Sequence, residues 1–208
     1  MSDPASTLLF TRKAELVSAM VRSAGTLDEA LTYARQTCDE KEACALLAAG
    51  CEAELSPPAD QLCDQKRGNI IAAPDLDGDH LHDYAARCRP AGIEVIHEGL
   101  RGYLGGIDIG ITRASWGIAE TGTLVIDSTR EDIRLATMIS EIHICLLPAS
   151  RIVRSADEIA DALGSAMASP ANYTAFITGA SRTADIERVL ALGVHGPLEL
   201  HIVLLEGE

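Results

Sequence analysis

The feature that most constrains this chain is the alternation that starts at Gly68, where short apolar runs take turns with stretches of helical periodicity. "NIIAAP" is apolar, Leu81, Tyr84, Ala85 and Cys88 recur at helical spacing, and "GIEVIH" is apolar again. That sequence of periods predicts a β-α-β unit. "GIDIGITRA" and "WGIAETGTLVIDS" supply two or three further strands, and "EIHICLLP" another. "SADEIADALGSAMA" reads as a helix with a capping box from Ser155 to Glu158 and a core face of Ala156, Ile159, Ala160, Leu163 and Met167. The strand "YTAFITG", a short helix over "ADIERVLAL" and the strand "LELHIVLLE" complete the pattern. Strands that alternate with helices are expected to form a mostly parallel sheet flanked by helices, so the fold class is α/β.

The chain before Gly68 has a different rhythm. Residues 11–24 place Val17, Met20, Val21 and Ala24 on one helical face, and residues 27–38 repeat the pattern with Leu27, Ala30, Leu31, Ala34 and Cys38. The second helix opens with a capping box from Thr26 to Glu29. Pro57-Pro58 breaks the pattern. The expected division is an N-terminal helical appendage over residues 1–65 and an α/β domain over residues 66–208.

A chain of 208 residues with 47% hydrophobic content is long enough to bury a sizeable core. The net charge of −14 argues against a nucleic-acid partner, which needs clustered Lys and Arg. Two Phe, four Tyr and one Trp form no stacking platform for bases. No apolar run reaches the eighteen or so residues of a membrane span, and "MSDPASTLLFTRK" lacks the pattern of a secretory signal, so a cytoplasmic location is expected.

None of the six cysteines, Cys38, Cys44, Cys51, Cys63, Cys88 and Cys145, forms a C-x-x-C pair. Cys44 and Cys51 on one helix would sit about 10 Å apart, too far for a disulfide. Buried free thiols are the expected state, with no metal and no cofactor on this chain.

Two stretches carry residues suited to chemistry. In "GASRTADIERVLALGVHGP", Gly179 permits a sharp turn, Ser181 and Thr183 are capping residues, and Arg182 and Asp185 stand where the helix would begin. A helix N-terminus beside an Arg suits a carboxylate or phosphate; the same residues also fit an ordinary capped helix. In "IAETGTLVI", Glu120 is followed by Thr121, Gly122 and Thr123. A carboxylate backed by hydroxyls suits a base or nucleophile, and the same spacing fits a hairpin whose turn needs Gly122. "DLDGDHLHD" departs from a calcium loop at His80 and Ala86 and fits an exposed acidic helix N-terminus. His143 alternates with apolar neighbours as a strand residue does.

Together, "DIGITRASWGIAETGTLVI" and "GASRTADIERVLALGVHGPLELHIVLLE" resemble the LUD domain of the lactate utilization protein C family. The likeness runs through most of residues 68–206. The resemblance implies a fold similar to the sugar-phosphate isomerase and CoA-transferase-like α/β class. It implies a role in oxidising L-lactate to pyruvate beside partner subunits that carry iron–sulfur clusters. On that basis Arg182 is expected to hold a small carboxylate, with Gly179, Ser181, Thr183 and Asp185 completing the anion site. Glu120 is expected as base or nucleophile oriented by Thr121 and Thr123, with Thr121, Gly122 and Thr123 binding substrate, and His195 as a second acid or base. The alternative is a non-catalytic assembly or metabolite-sensing subunit that docks an iron–sulfur partner. The chain departs from the family at Ala180, where Gly-Pro-Ser is common, and in "MISEIH", where a Pro is expected.

Overall fold

The computed structural model describes residues 3–41, 68–103, 105–168, 172–184, 190–192 and 196–208. In chain order they form α1 (Pro4–Leu16), β1 (Ala19–Ala24), α2 (Leu27–Glu40), β2 (Ile70–Ala72), α3 (Gly78–Cys88), β3 (Glu94–Ile96), β4 (Ile107–Arg113), β5 (Trp116–Ile118) and β6 (Thr123–Asp127). There follow α4 (Glu131–Ile139), β7 (Ser140–Pro148), β8 (Ile152–Val153), α5 (Ala160–Met167), β9 (Thr174–Ile177), β10 (Arg182–Ala184), β11 (Leu190–Leu192) and β12 (Glu199–Leu205).

Six strands make the main sheet in the order β1-β12-β7-β4-β2-β3, and every neighbouring pair is parallel. Burial explains why the middle strands read as continuous apolar runs: all nine residues of β7 and six of the seven in β4 and in β12 are buried. On one face Ile109, Ile111, Ile144, Leu146, Val203 and Leu205 meet α2 and α3 through Leu31, Ala34, Cys38, Tyr84 and Cys88. On the other face Cys145, Leu147, Leu200, Ile202 and Leu204 meet Phe10 and Ala14 of α1 and Leu124 and Ile126 of β6. Helix α4 lies against β4 so closely that a Cβ at Gly110 would stand 2.3 Å from the Ala136 carbonyl oxygen.

The α/β class and the parallel sheet agree with the sequence, and so does α2: its core face is buried, and Thr26 Oγ1 accepts from the Glu29 N–H at 3.2 Å. The Glu29 carboxylate returns to the Gly25 N–H at 2.7 Å. Several expectations are corrected. The helix over 11–24 stops at Leu16; Ser18 turns the chain at φ 64°, and β1 pairs with β12 as a sheet edge. The β-branched and apolar residues from Met20 to Ala24 gain more from that ladder than from a further helical turn. The described part of the expected helical appendage is thus built into the sheet and both cores. The capping box at Ser155 does not form; a 3₁₀ turn over Ala156–Ile159 precedes α5, Ile159 is buried, and Met167 is exposed. Leu124, Val125 and Ile126 of β6 pair antiparallel with β5 and β9 in a second sheet, β8-β5-β6-β9, which strand–helix alternation does not announce. Cys38, Cys88 and Cys145 are buried free thiols, whereas Cys44, Cys51 and Cys63 lie outside the described residues.

At the amino edge of the sheet Lys41, the residue after α2, places Nζ 2.9 Å from Asp108 and 2.7 Å from Glu141. All three side chains are at most 6% exposed. The second oxygen of Asp108 accepts the Ile70 N–H at 2.7 Å, tying β2 into the same knot. Burial alone would lower the Lys41 pKa, but hydrogen bonds to Glu141 and Asp108 outweigh it and hold it above the ordinary lysine value. A group whose folded pKa is raised stabilises below its unfolded pKa and loses that contribution as pH rises through the folded one. Lys41→Met should therefore cost roughly 3–5 kcal/mol at neutral pH, since it strands two buried carboxylates. Denaturant unfolding checks this: adding Asp108→Asn and Glu141→Gln to Lys41→Met should recover much of the loss, and the wild-type advantage should shrink only as pH rises above the ordinary lysine value of 10.5.

Candidate functional site

In an open parallel sheet, ligands bind beyond the carboxyl ends of the strands where the winding reverses. Here β2 is followed by β3 on one side and, after the crossover, by β4 on the other, so the reversal lies between β2 and β4. Asp75 follows β2, and Arg113 ends β4. They are joined directly: the Arg113 N–H donates to Asp75 Oδ2 at 2.9 Å. A cavity of about 610 Å³ opens there, lined by Asp75, Arg113, Ser115, Trp116, Asp127, Arg130 and Arg151. A second lobe of about 240 Å³ shares Asp75 and Arg113 and is walled by Leu27, Leu76, Ile111 and Leu146.

Each cleft residue is placed by its element. Asp127 ends β6 and accepts the Thr129 N–H at 3.0 Å, which turns the chain into α4. Arg130, the N-cap of α4, donates to the Pro74 carbonyl at 2.9 Å. Arg151 closes the 3₁₀ turn that follows β7. Ser115 is fixed through its N–H to the Val125 carbonyl at 2.8 Å. The Arg113 guanidinium pairs with the Glu208 carboxylate. Burial pushes the Asp75 pKa up, against the lowering effects of the Arg113 amide and the nearby Arg130 and Arg113 charges. Three guanidinium groups around one cleft have the chemistry that suits an anion, because each offers a fork of donors to a carboxylate. Arg134 is engaged elsewhere, bonding the Ser128 and Thr129 carbonyls at 2.6 and 2.7 Å.

The residues expected from sequence lie in another corner. Glu120 is exposed in the β5–β6 turn, and Gly122 there has φ 68°. The turn stands at the far end of β6 from Asp127, about 13 Å away by strand rise. β6–β9 pairing brings it beside the second stretch: Thr123 Oγ1 lies 2.7 Å from both Thr121 Oγ1 and Thr178 Oγ1. The Ser181 N–H donates to the Pro197 carbonyl at 3.1 Å, so the Gly179 turn meets the turn that holds Gly196. The helix expected over 184–192 is corrected. Arg182–Ala184 and Leu190–Leu192 pair as antiparallel strands, where β-branched and apolar residues gain a ladder. Arg182 and Thr183 therefore stand in a strand and not at a helix N-terminus, while Asp185 and His195 lie outside the described residues.

Gly122 and Gly179 explain much of what made these stretches distinctive. A Cβ at Gly122 would come 2.4 Å from the Ala14 nitrogen, and one at Gly179 2.4 Å from the Val17 carbonyl oxygen. Both residues have positive φ. The end of α1 thus seats directly on two backbone turns, a packing role that only Gly fills. His143 is a buried strand residue as expected, with Nε2 2.7 Å from Thr112 Oγ1, and burial pushes its pKa down to about 4. Among the described residues no group of three or more His, Cys, Asp or Glu gathers as metal ligands, and no helix is long and apolar enough to cross a membrane.

A model of the LUD domain matches residues 8–205. The chain belongs to the LUD domain family. It is 36% identical over 102 residues to "Lactate utilization protein C" of an Exiguobacterium species, covering 47% of this chain and 44% of that one. It is 32% identical over 101 residues to the protein of the same name from Bacillus subtilis, covering 47% and 42%. An uncharacterized protein of Neisseria meningitidis is 33% identical over 99 residues, covering 48% and 42%. The matched stretch thus spans less than half the length of these relatives. A crystal structure of a DUF162 family protein from Deinococcus radiodurans shares the fold, with a TM-score of 0.61 over 98% of this chain and 99% of that one at 16% identity.

Within this LUD domain the two turns and the cleft can be separated by experiment. Gly122→Ala is expected to cost at least about 2 kcal/mol, from the left-handed backbone and the overlap with α1, and thermal unfolding would register it. Asp75→Asn should behave oppositely. Its raised pKa means the folded state penalises the charged form, so the variant should melt higher than wild type at pH 7. That gap should close as pH falls below the ordinary aspartate range, where neither form carries the charge.

Proposed function

We propose that this LUD domain protein serves lactate utilization as a cytoplasmic subunit that binds a small carboxylate in the cleft at the carboxyl edge of its sheet. The wider reaction is the oxidation of L-lactate to pyruvate, with iron–sulfur clusters carried by partner subunits and no cofactor on this chain. The observation that carries the reading is the meeting of Arg113, Arg130 and Arg151 around Asp75 where the sheet reverses. The relatives' printed name supplies the pathway.

In this reading the guanidinium forks hold the carboxylate of the acid. Trp116 forms an apolar wall beside it. Asp75 is the acid–base group of the cleft: its carboxyl, raised by burial, takes protons more readily than an exposed aspartate. Glu120, Arg182 and His195 remain the residues the family resemblance nominates, and they are tested alongside. A metabolite-sensing or assembly subunit that docks an iron–sulfur partner is the second reading. It is favoured by Glu120 standing exposed and away from the arginine cleft, which leaves that cleft with groups for binding foremost.

Calorimetry with L-lactate and pyruvate provides the test. Arg113→Gln and Arg130→Gln are expected each to weaken pyruvate binding at least tenfold, the effect of losing one charge-assisted contact of about 1.5 kcal/mol or more. Glu120→Gln and Arg182→Ala should leave it within twofold. A reversed ranking would move the site to the β5–β6 turn. Unchanged affinity in all four variants would remove the carboxylate reading, and tight binding to a cluster-bearing partner without any acid bound would favour the docking subunit.

A further inference from the structure

The segment after β12 crosses the carboxyl edge of the sheet and reaches the cleft. Glu206 N–H donates to the Ala24 carbonyl at 3.0 Å, beside the end of β1. Gly207 lies against Gly25, where a Cβ would approach the Gly25 carbonyl oxygen to 2.7 Å. The Glu208 carbonyl accepts from the Ser150 N–H at 3.4 Å, beyond the end of β7. Its side chain then reaches across to β4 and pairs with the Arg113 guanidinium, between the two lobes of the cleft. The path is fixed at three points, and its last contact puts a carboxylate on the very arginine that links the lobes.

We infer that the Glu208 side chain is a built-in surrogate ligand, which an external monocarboxylate must displace from Arg113. The inference rests on the carboxylate-binding reading of the cleft. Charge supports it. Arg113, Arg130 and Arg151 share the two lobes with the carboxylates of Asp75, Asp77, Asp127 and Glu208, and it is Glu208 that pairs with the Arg113 guanidinium. Release of Glu208 takes its carboxylate from Arg113, and one carboxylate of a bound acid replaces it. A monoanion is therefore the ligand class that exchanges with no net change of charge in the cleft, and a dianion would overshoot. The exchange is also easy: Arg113 and Glu208 are 43% and 37% exposed, and ion pairs so exposed are weak. An internal contact of that strength is closed most of the time without sealing the site, and it reduces apparent affinity by the fraction of open molecules.

Titration of the full chain with pyruvate tests this, using wild type, Glu208→Gln, Glu206→Gln and Arg113→Gln, each checked for an unchanged melting curve. Glu208→Gln is expected to tighten the pyruvate Kd about two- to sixfold, the gain from removing a weak competing pair. Glu206→Gln removes the same charge two residues away and should leave the Kd unaltered. Arg113→Gln should weaken binding. Equal affinities for wild type and Glu208→Gln, with Arg113→Gln still impaired, would overturn the surrogate while the cleft stands. An equal gain in Glu206→Gln would overturn it too, as a bulk charge effect. Absence of pyruvate binding in both wild type and Glu208→Gln would overturn the carboxylate reading itself.

Discussion

Asp108 and Glu141 stand opposite one another on neighbouring strands, with Lys41 bridging them out of water. The rest of the molecule depends on that contact because the middle of the sheet cannot set its own register by hydrophobicity. β4 and β7 are buried on both faces, so a slip by one residue would keep much apolar burial in place while parting Thr112 from His143. It would, however, separate the carboxylates from Lys41, at the expense of unpaired buried charge. With Ile109 locked opposite Ile142, Arg113 falls opposite Leu146 at the far end. The ion knot at the amino edge thereby fixes where the arginine of β4 emerges at the carboxyl edge.

The second sheet turns that edge into a cleft. β6 runs along the face occupied by α1 and delivers Asp127 to the site, while its other end holds the glycine turn on which α1 sits. Gly122 and Gly179 let helix and turn backbones touch, and the hydroxyls of Thr121, Thr123 and Thr178 satisfy one another beside them. One strand therefore connects a packing corner to a polar cleft. A cleft wall that is anchored at both ends keeps its charged groups in place without a ligand, which is the condition for binding at low reorganisation cost.

The parts of this architecture that were legible in the sequence are those governed by local periodicity. The β2-α3-β3 unit, α2 with its Thr26 cap and the buried strands around His143 follow from spacing alone. What was missed is governed by distant partners. Residues 19–24 carry a helical pattern, yet the open edge of β12 offers them a ladder, and no local signal reports that edge. "ADIERVLAL" has helical spacing as well, and its described ends pair as strands. The arginine cleft was not legible for a related reason. Glycine turns with nearby hydroxyls read alike whether they hold an anion or the backbone of a helix. Arg113, Arg130 and Arg151 lie scattered over 39 positions and converge only when the sheet reverses between β2 and β4.

For the proposed carboxylate ligand that convergence matters, because the protein is acidic. With a net charge of −14, the chain repels a carboxylate at long range. Attraction has to be local, within about a Debye length of 8–10 Å at physiological salt. Strand ends achieve this in the proposed reading by bringing Arg113, Arg130 and Arg151 to one cavity. The same local field would be open to any passing anion, and the Glu208 carboxylate on Arg113 raises the threshold for occupancy. In the proposed reading, selection among anions falls to the shape and charges of the cleft: Asp75, Asp77 and Asp127 repel a second negative charge, and Trp116 with the aliphatic wall of Leu27, Leu76, Ile111 and Leu146 favours a small organic acid over a strongly hydrated inorganic ion.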